Sequence, residues 1–363
     1  MTQHNLKSLG WDEFFEEEFK QFSSLGFSAG RIAAENKNSY VVLSEKGELF
    51  GEVTGKLLFS SDNVSDLPKV GDWVVYSEYD DSKAVIHNVL KRRTGISRNI
   101  AGKKTDEQVI AANMDYVFIV QGLDGNFNLR RLERYLIIAL QSGAEPVIIL
   151  NKADLCENLK NYISNVKEIA PDIKIFAVSA LKNEGIDKIK EFLNTGETAV
   201  FVGSSGVGKS TIINSILGED KQETGEVREK DSRGRHVTSR REIILLPGGG
   251  LVIDTPGMRE LQLWSSDSGF EETFADIEVL AAGCHFSDCS HTEEIKCAVK
   301  EALEKGELSE KRLESYRKLQ KELRFLRIKQ DEELQIQERH RLKELYKEYR
   351  RIKNDVYTKK GRI

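Results

Sequence analysis

The residues best suited to do chemistry in this 363-residue chain stand in three groups. The first is Gly203-Ser204-Ser205-Gly206-Val207-Gly208-Lys209-Ser210, followed by Thr211. Glycines at these spacings let a backbone curl its N–H groups around phosphate oxygens; the lysine reaches the outer phosphates and the Ser210 hydroxyl holds Mg²⁺. The second is Asn151-Lys152-Ala153-Asp154, with Ser179-Ala180 downstream. The Asp154 carboxylate matches the N1–H and 2-amino donors of guanine. Adenine has neither donor and would leave a charged acceptor unpaired. Asn151 offers its amide to the other base edge and to neighbouring loops, the Lys152 stem covers a base face, and Ser179-Ala180 presents a backbone N–H to guanine O6. The third group is Cys284, Cys289, His291 and Cys297. Three sulfurs and one nitrogen suit a single tetrahedral Zn²⁺ with no open position, hence a structural ion. His285 competes for the fourth place, and its tight spacing from Cys284 favours His291.

These groups need a frame to hold them. Ala199-Val200-Phe201-Val202 reads as a strand entering the glycine-rich loop, and Ile212, Ile213, Ile216 and Leu217 as the stripe of a helix leaving it. Such a helix aims its positive end at the phosphates. Upstream, strands over 115–121, 146–150 and 173–178 alternate with helices over 128–139, 157–169 and 185–194. That alternation predicts an α/β parallel sheet with ligands at the strand C-terminal ends, where Asn151 and Ser179 fall. Downstream, 225–238 is polar, charged and glycine-interrupted, and Thr238 is the candidate to close on Mg²⁺. Strands over 242–246 and 251–253 follow. Asp254 then holds the Mg²⁺ shell through water, and the Gly257 N–H senses a γ-phosphate. Met258 occupies the place where a water-orienting glutamine often sits, so hydrolysis by the chain alone should be slow. His236 is either the group that helps or a mobile surface histidine. The base-reading loops precede the phosphate loop, an inversion that a circular permutation produces, with the natural ends joined near 190–199.

Around this nucleotide domain (105–270) four other stretches stand apart. Residues 1–37 read as a helical segment broken at Gly10. Short alternating strands over 38–98 predict a small OB-type barrel, including the phrase Val70-Gly71-Asp72-Trp73-Val74. Lys91-Arg92-Arg93 and Arg98 give it a basic edge, which is equally a solvated edge or a surface for single-stranded RNA. Trp73 is core or a stacking platform. Residues 271–305 form the zinc module, and 306–363 a basic helical extension with Ser309 as a cap and Leu313, Tyr316, Leu319, Leu323 and Leu326 as its stripe. Hydrophobic residues are 39% and charged residues 31%, and no apolar run is long enough for a membrane span. The start lacks the apolar core of a signal peptide, so a cytoplasmic monomer is expected. Formal net charge is −5, so bulk charge does not announce nucleic acid; the basic C-terminus does.

The whole pattern resembles the circularly permuted, ribosome small-subunit-dependent GTPases of the RsgA type. The matching phrases are Asn128-Leu129-Arg130-Arg131-Leu132-Glu133-Arg134-Tyr135, Asn151-Lys152-Ala153-Asp154, Gly203 to Thr211, Thr224-Gly225-Glu226-Val227, Gly234-Arg235-His236, Leu246-Pro247-Gly248-Gly249, Asp254-Thr255-Pro256-Gly257 and the Cys₃His set. Val237 stands where the family usually has Thr. The resemblance implies a GTPase that binds the small ribosomal subunit late in its maturation, stimulated by the subunit's rRNA, with a catalytic role for His236. A GTPase switch for a protein partner, without RNA binding, is the alternative reading. An ATP-dependent kinase or transporter subunit is a third, which Asp154 opposes.

Overall fold

A computed structural model describes residues 4–36, 39–61, 63–80, 82–99, 107–218, 241–254, 268–330 and 339. The N-terminal segment opens with a 3₁₀ turn, Leu6–Leu9, stopped by Gly10 in the left-handed region (φ 92°). The helix α1 (Glu13–Ser23) is capped by the Asp12 carboxylate, which accepts from the Phe14 and Phe15 amides. β1 (Ser28–Glu35) then falls inside the stretch for which the pattern predicts only helix. Its residues are mostly small, with Ile32 its one β-branched side chain, and it is buried nearly throughout, so it shows little of the usual strand pattern. Smallness is required there: a Cβ on Gly30 would sit 2.5 Å from Val42 Cγ1.

β2 (Tyr40–Ser44), β3 (Gly47–Val53), α2 (Gly55–Ser60), β4 (Trp73–Asp80) and β5 (Lys83–Val89) complete the barrel. The strands run β1-β2-β3-β5-β4 and close back on β1 through Gly30↔Val74 and its neighbours, which leaves no open edge. Ile32, Val42, Val74 and Ile86 fill the inside. Trp73 points the other way and is fully buried, with its ring 4.7 Å from Trp11 and 5.7 Å from Phe15. It is core between barrel and α1, not a stacking platform. The basic edge is also partly consumed. Arg92 forks onto buried Asp72 at 2.8 and 2.7 Å, and Arg93 pairs with Asp12 and Asp115. A hairpin that the sequence pattern does not announce, β6 (Gly95–Asn99) and β7 (Glu107–Ala112), leads out of the barrel.

The nucleotide domain follows in the expected alternation: β8 (Tyr116–Gly122), α3 (Leu129–Gln141), β9 (Glu145–Asn151), α4 (Leu159–Ile169), β10 (Lys174–Ala177), α5 (Ile186–Phe192), β11 (Thr198–Val202), α6 (Lys209–Leu217), β12 (Glu242–Leu245) and β13 (Leu251–Asp254). The sheet order is β10-β9-β8-β11-β13-β12, all parallel except β12. β11, which feeds the glycine loop, therefore lies centrally, with the base loops on one side and Asp254 on the other. The joint between α5 and β11 packs on the β12–β13 loop: Gly196 N–H donates to Gly249 O at 2.9 Å, and the Thr195 hydroxyl occupies the space a Cβ on Gly249 would need. β12 also pairs with β1 through Ala34↔Glu242, so the sheet runs without interruption into the barrel.

Beyond the sheet come α7 (Ser268–Thr273), α8 (Ala275–Ala281), α9 (Ala298–Glu304) and α10 (Glu310–Gln330). The Ser309 hydroxyl caps α10 by accepting the Arg312 amide at 3.2 Å. Leu313, Tyr316, Leu319 and Leu323 turn inward and join one apolar cluster with α3, α1 and the Trp73 side of the barrel. Two of the extension's basic residues are spent on docking: Arg312 is buried against Glu133 and Asp276, and Arg317 donates to the His291 carbonyl. The rest of the extension, 331–338 and 340–363, lies outside the described residues. Among the described residues no helix is long and apolar enough to cross a membrane.

Candidate functional site

The glycine loop sits between β11 and α6. Gly203, Gly206 and Gly208 have φ of 151°, 78° and 95°, a backbone path closed to most L side chains. Gly203 also packs on β8, where a Cβ would meet Val120 O at 2.6 Å. The Lys209 ammonium donates to Gly203 O and Ser204 O at 2.8 and 2.9 Å, which holds it within the loop's own curl. Ser205 lies on the exposed rim, and Val207 is buried beneath the loop. Ser210 and Thr211 are half-buried at the first turn of α6.

The base loop is tied to this one by the Asn151 side chain. Asn151 ends β9, and its Nδ2 donates to Val207 O at 2.8 Å while its Oδ1 accepts the Ala180 N–H at 3.1 Å. A Cβ on Gly208 would land 2.3 Å from that Nδ2, so the glycine clears room for the bridge. Three loops far apart in the chain thus share one buried amide. The Asn151 amide holds neighbouring loops, as the sequence suggests, and the Ala180 N–H, expected to face guanine O6, donates to Asn151 Oδ1 in this structure. Ser179 does something the sequence pattern did not announce. Its buried hydroxyl lies beside Asp154 and holds that carboxylate below the usual range. Lys152, at φ 64°, pairs its ammonium with Asp124, a residue that belongs to none of the sequence motifs. Burial alone would raise the Asp124 carboxyl; Lys152 outweighs it and leaves it lowered.

Asp254 ends β13, one strand away from the glycine loop, and is half-buried. Oxygen donors at Ser210 and Asp254 are of the hard type that Mg²⁺ takes. His236, Thr238 and Gly257 lie outside the described residues.

Cys284, Cys289, His291 and Cys297 bring their ligating atoms within 4.8 Å of one another. Cys284 Sγ stands 3.8 Å from Cys297 Sγ, and His291 Nδ1 stands 3.6 and 3.5 Å from those two sulfurs. Ligands about 2.0–2.3 Å from a tetrahedral centre are separated by about 3.5–3.8 Å, so the donor set has the dimensions of a metal site. His285 is exposed, packed on Phe286, and stays outside the cluster.

Residues 89–264 match the family model described as RsgA GTPase. The chain is 44% identical over 351 residues, 94% of its length and 96% of the relative's, to the Small ribosomal subunit biogenesis GTPase RsgA of Opitutus terrae. Among solved structures it resembles YjeQ from Thermotoga maritima, at 28% identity and a TM-score of 0.62, covering 82% of this chain and 98% of that one. It also resembles YloQ, described as a circularly permuted GTPase, at 25% identity and a TM-score of 0.59, covering 82% of this chain and 95% of that one. Barrel, permuted sheet, inverted loop order and Cys₃His cluster coincide in one polypeptide, and the chain belongs to the RsgA family of circularly permuted GTPases.

Proposed function

We propose that this protein hydrolyses GTP as a maturation factor of the small ribosomal subunit, in the cytoplasm, with hydrolysis stimulated by the subunit's rRNA. The single observation that carries the nucleotide half is the Asn151 bridge, which makes one pocket of the base loop, the Ser179–Ala180 loop and the phosphate loop despite their inverted order. The name borne by the Opitutus relative supports the ribosomal half. In the pocket, Asp154 reads the guanine N1–H and 2-amino group, with Ser179 beside it. The Gly203–Lys209 amides and the Lys209 ammonium bind the phosphates. Ser210 and Asp254 hold Mg²⁺, which supplies charge neutralisation at the β- and γ-phosphates. His236 orients the attacking water in place of the missing glutamine, a role that resemblance to the family supports; Thr238 and Gly257 respond to the γ-phosphate, a reading that rests on their places in the sequence after the phosphate loop. Zn²⁺ in the Cys₃His cluster is structural, because protein donors complete a tetrahedron.

RNA contact rests on fewer cations than the sequence counts, since Arg92, Arg93, Arg312 and Arg317 are engaged within the protein. Lys91, Lys318 and Lys321 stay exposed. The test is GTP turnover with and without purified small subunits. Slow turnover alone and a large stimulation by subunits are expected; the absence of stimulation overturns the ribosomal reading. Asp154→Asn is expected to collapse the preference for GTP over ATP, and Lys209→Ala to abolish tight triphosphate binding; unchanged nucleotide competition would reject either assignment.

A further inference from the structure

Residue Asp124 belongs to no nucleotide motif, yet it holds one. The loop after β8 is drawn beside the base loop by a backbone bond from Leu123 N–H to Asn151 O at 2.9 Å. There the Asp124 carboxylate takes the Lys152 ammonium through Oδ2, and both side chains are only about a quarter exposed (26% and 28%). The other oxygen, Oδ1, rests over Gly122, where a Cβ would come within 2.8 Å of it and 3.7 Å from Val207 Cα of the phosphate loop. Bare backbone at Gly122 therefore makes the place for this carboxylate, next to the phosphate loop.

Lys152 has an unusual backbone for a residue with a side chain, φ 64° and ψ 37°. That left-handed turn carries a cost for any L residue other than glycine. It lifts the side chain off the strand between Asn151 and Asp154, the two residues that flank the base site. A free lysine stem there would sample many rotamers, and a ligand that packs on it would have to order them. An ion pair at the far end removes most of that freedom before ligand arrives.

We propose that Asp124 is a positioning residue for guanine-nucleotide binding: it anchors the Lys152 ammonium so that the lysine stem stands fixed against the face of the base. The inference rests on the guanine-site reading above. It separates two tasks in the pocket, with Asp154 choosing the base by its edge and Asp124 preparing the surface on which any purine lies.

The test uses the full-length, metal-loaded protein and titrates GDP and inosine diphosphate, which lacks the 2-amino group. Asp124→Asn is expected to raise both Kd values by the same factor, about three- to tenfold, the range set by ordering one long side chain. In a Lys152→Ala background the same change should add nothing, because its target is gone. Asp124→Ser serves as a second variant if the asparagine disturbs folding by thermal melt. Equal losses in both backgrounds, a shifted GDP-to-inosine-diphosphate ratio, or unchanged Kd would each overturn the proposal. The wild-type preference for GDP over ADP is measured first; its absence would strike the guanine site itself, a failure distinct from that of Asp124.

Discussion

Two buried arginines fasten the appended modules to the nucleotide domain, and they do so by opposite means. Arg31, on β1, is 1% exposed and donates to neutral acceptors: Gly71 O, Leu9 O, Asn113 O and the Thr198 hydroxyl. These belong to the barrel, the N-terminal turn, the β7–β8 junction and β11. Arg312, on α10, meets carboxylates: Glu133 of α3 at 2.6 Å and Asp276 of α8 at 2.8 Å, with the Thr273 carbonyl at 2.7 Å and the Phe274 ring 4.3 Å from its guanidinium carbon. The electrostatic consequences diverge. Burial pushes the Arg31 pKa down to about 10, with Asp115 opposing only in part. At Arg312 burial acts the same way, but Asp276 and Glu133 outweigh it and raise the pKa. The first junction stores its cost in the arginine itself. The second spreads it over an ion cluster whose members fail together.

That contrast can be broken in several ways, beginning with the largest effect. Removing the metal from the Cys₃His cluster should cost several kcal/mol on the C-terminal side, because metal binding and folding are coupled in so small a module. Since Arg317 ties His291 to α10, amide exchange is expected to rise across 284–330 while the β1–β5 barrel stays protected; uniform exchange throughout would mean the two junctions are one cooperative unit. Arg312→Met should destabilise by about 3 kcal/mol, because it leaves Glu133, 0% exposed at its side chain, short of its buried partner. Adding Glu133→Leu should recover much of that loss, and a chemical denaturation cycle reads it.

Arg31→Met strands carbonyls instead of a carboxylate and relieves an unfavourable buried charge. A loss of about 1–3 kcal/mol is expected, and no carboxylate replacement should rescue it. A greater loss than for Arg312→Met would invert the comparison. Arg93→Ala gives the smallest effect, below about 1 kcal/mol, since its pairs with Asp12 and Asp115 are open to water and screened by salt. Denaturation midpoints in low and high salt check it.

Much of the pocket was legible before any coordinates. Gly203 to Ser210, Asn151 to Asp154 and the Cys₃His set depend on residue types at short spacings, and their chemistry is local. The alternation of strand and helix was equally plain, because β8, β9 and β11 are buried on both faces and read as apolar runs. β1 was not legible. Ser28-Ala29-Gly30-Arg31 carries no strand signal, and its identity follows from what crowds it. The basic residues misled for a related reason: a sequence counts charges but cannot say which carboxylate lies opposite.

What the sequence determined alone was the list of groups that a nucleotide and a metal need, since such groups are selected by type and by reach along a few bonds. Tertiary structure decided how they are divided. It committed the Asn151 amide to Val207 and Ala180, set Ser179 behind Asp154, placed Asp124 under Lys152, and turned Trp73 from a candidate stacking platform into a joint between barrel and α1. Those assignments hang on residues tens to hundreds of positions apart meeting across a few ångströms, and spacing along a chain carries no record of such meetings.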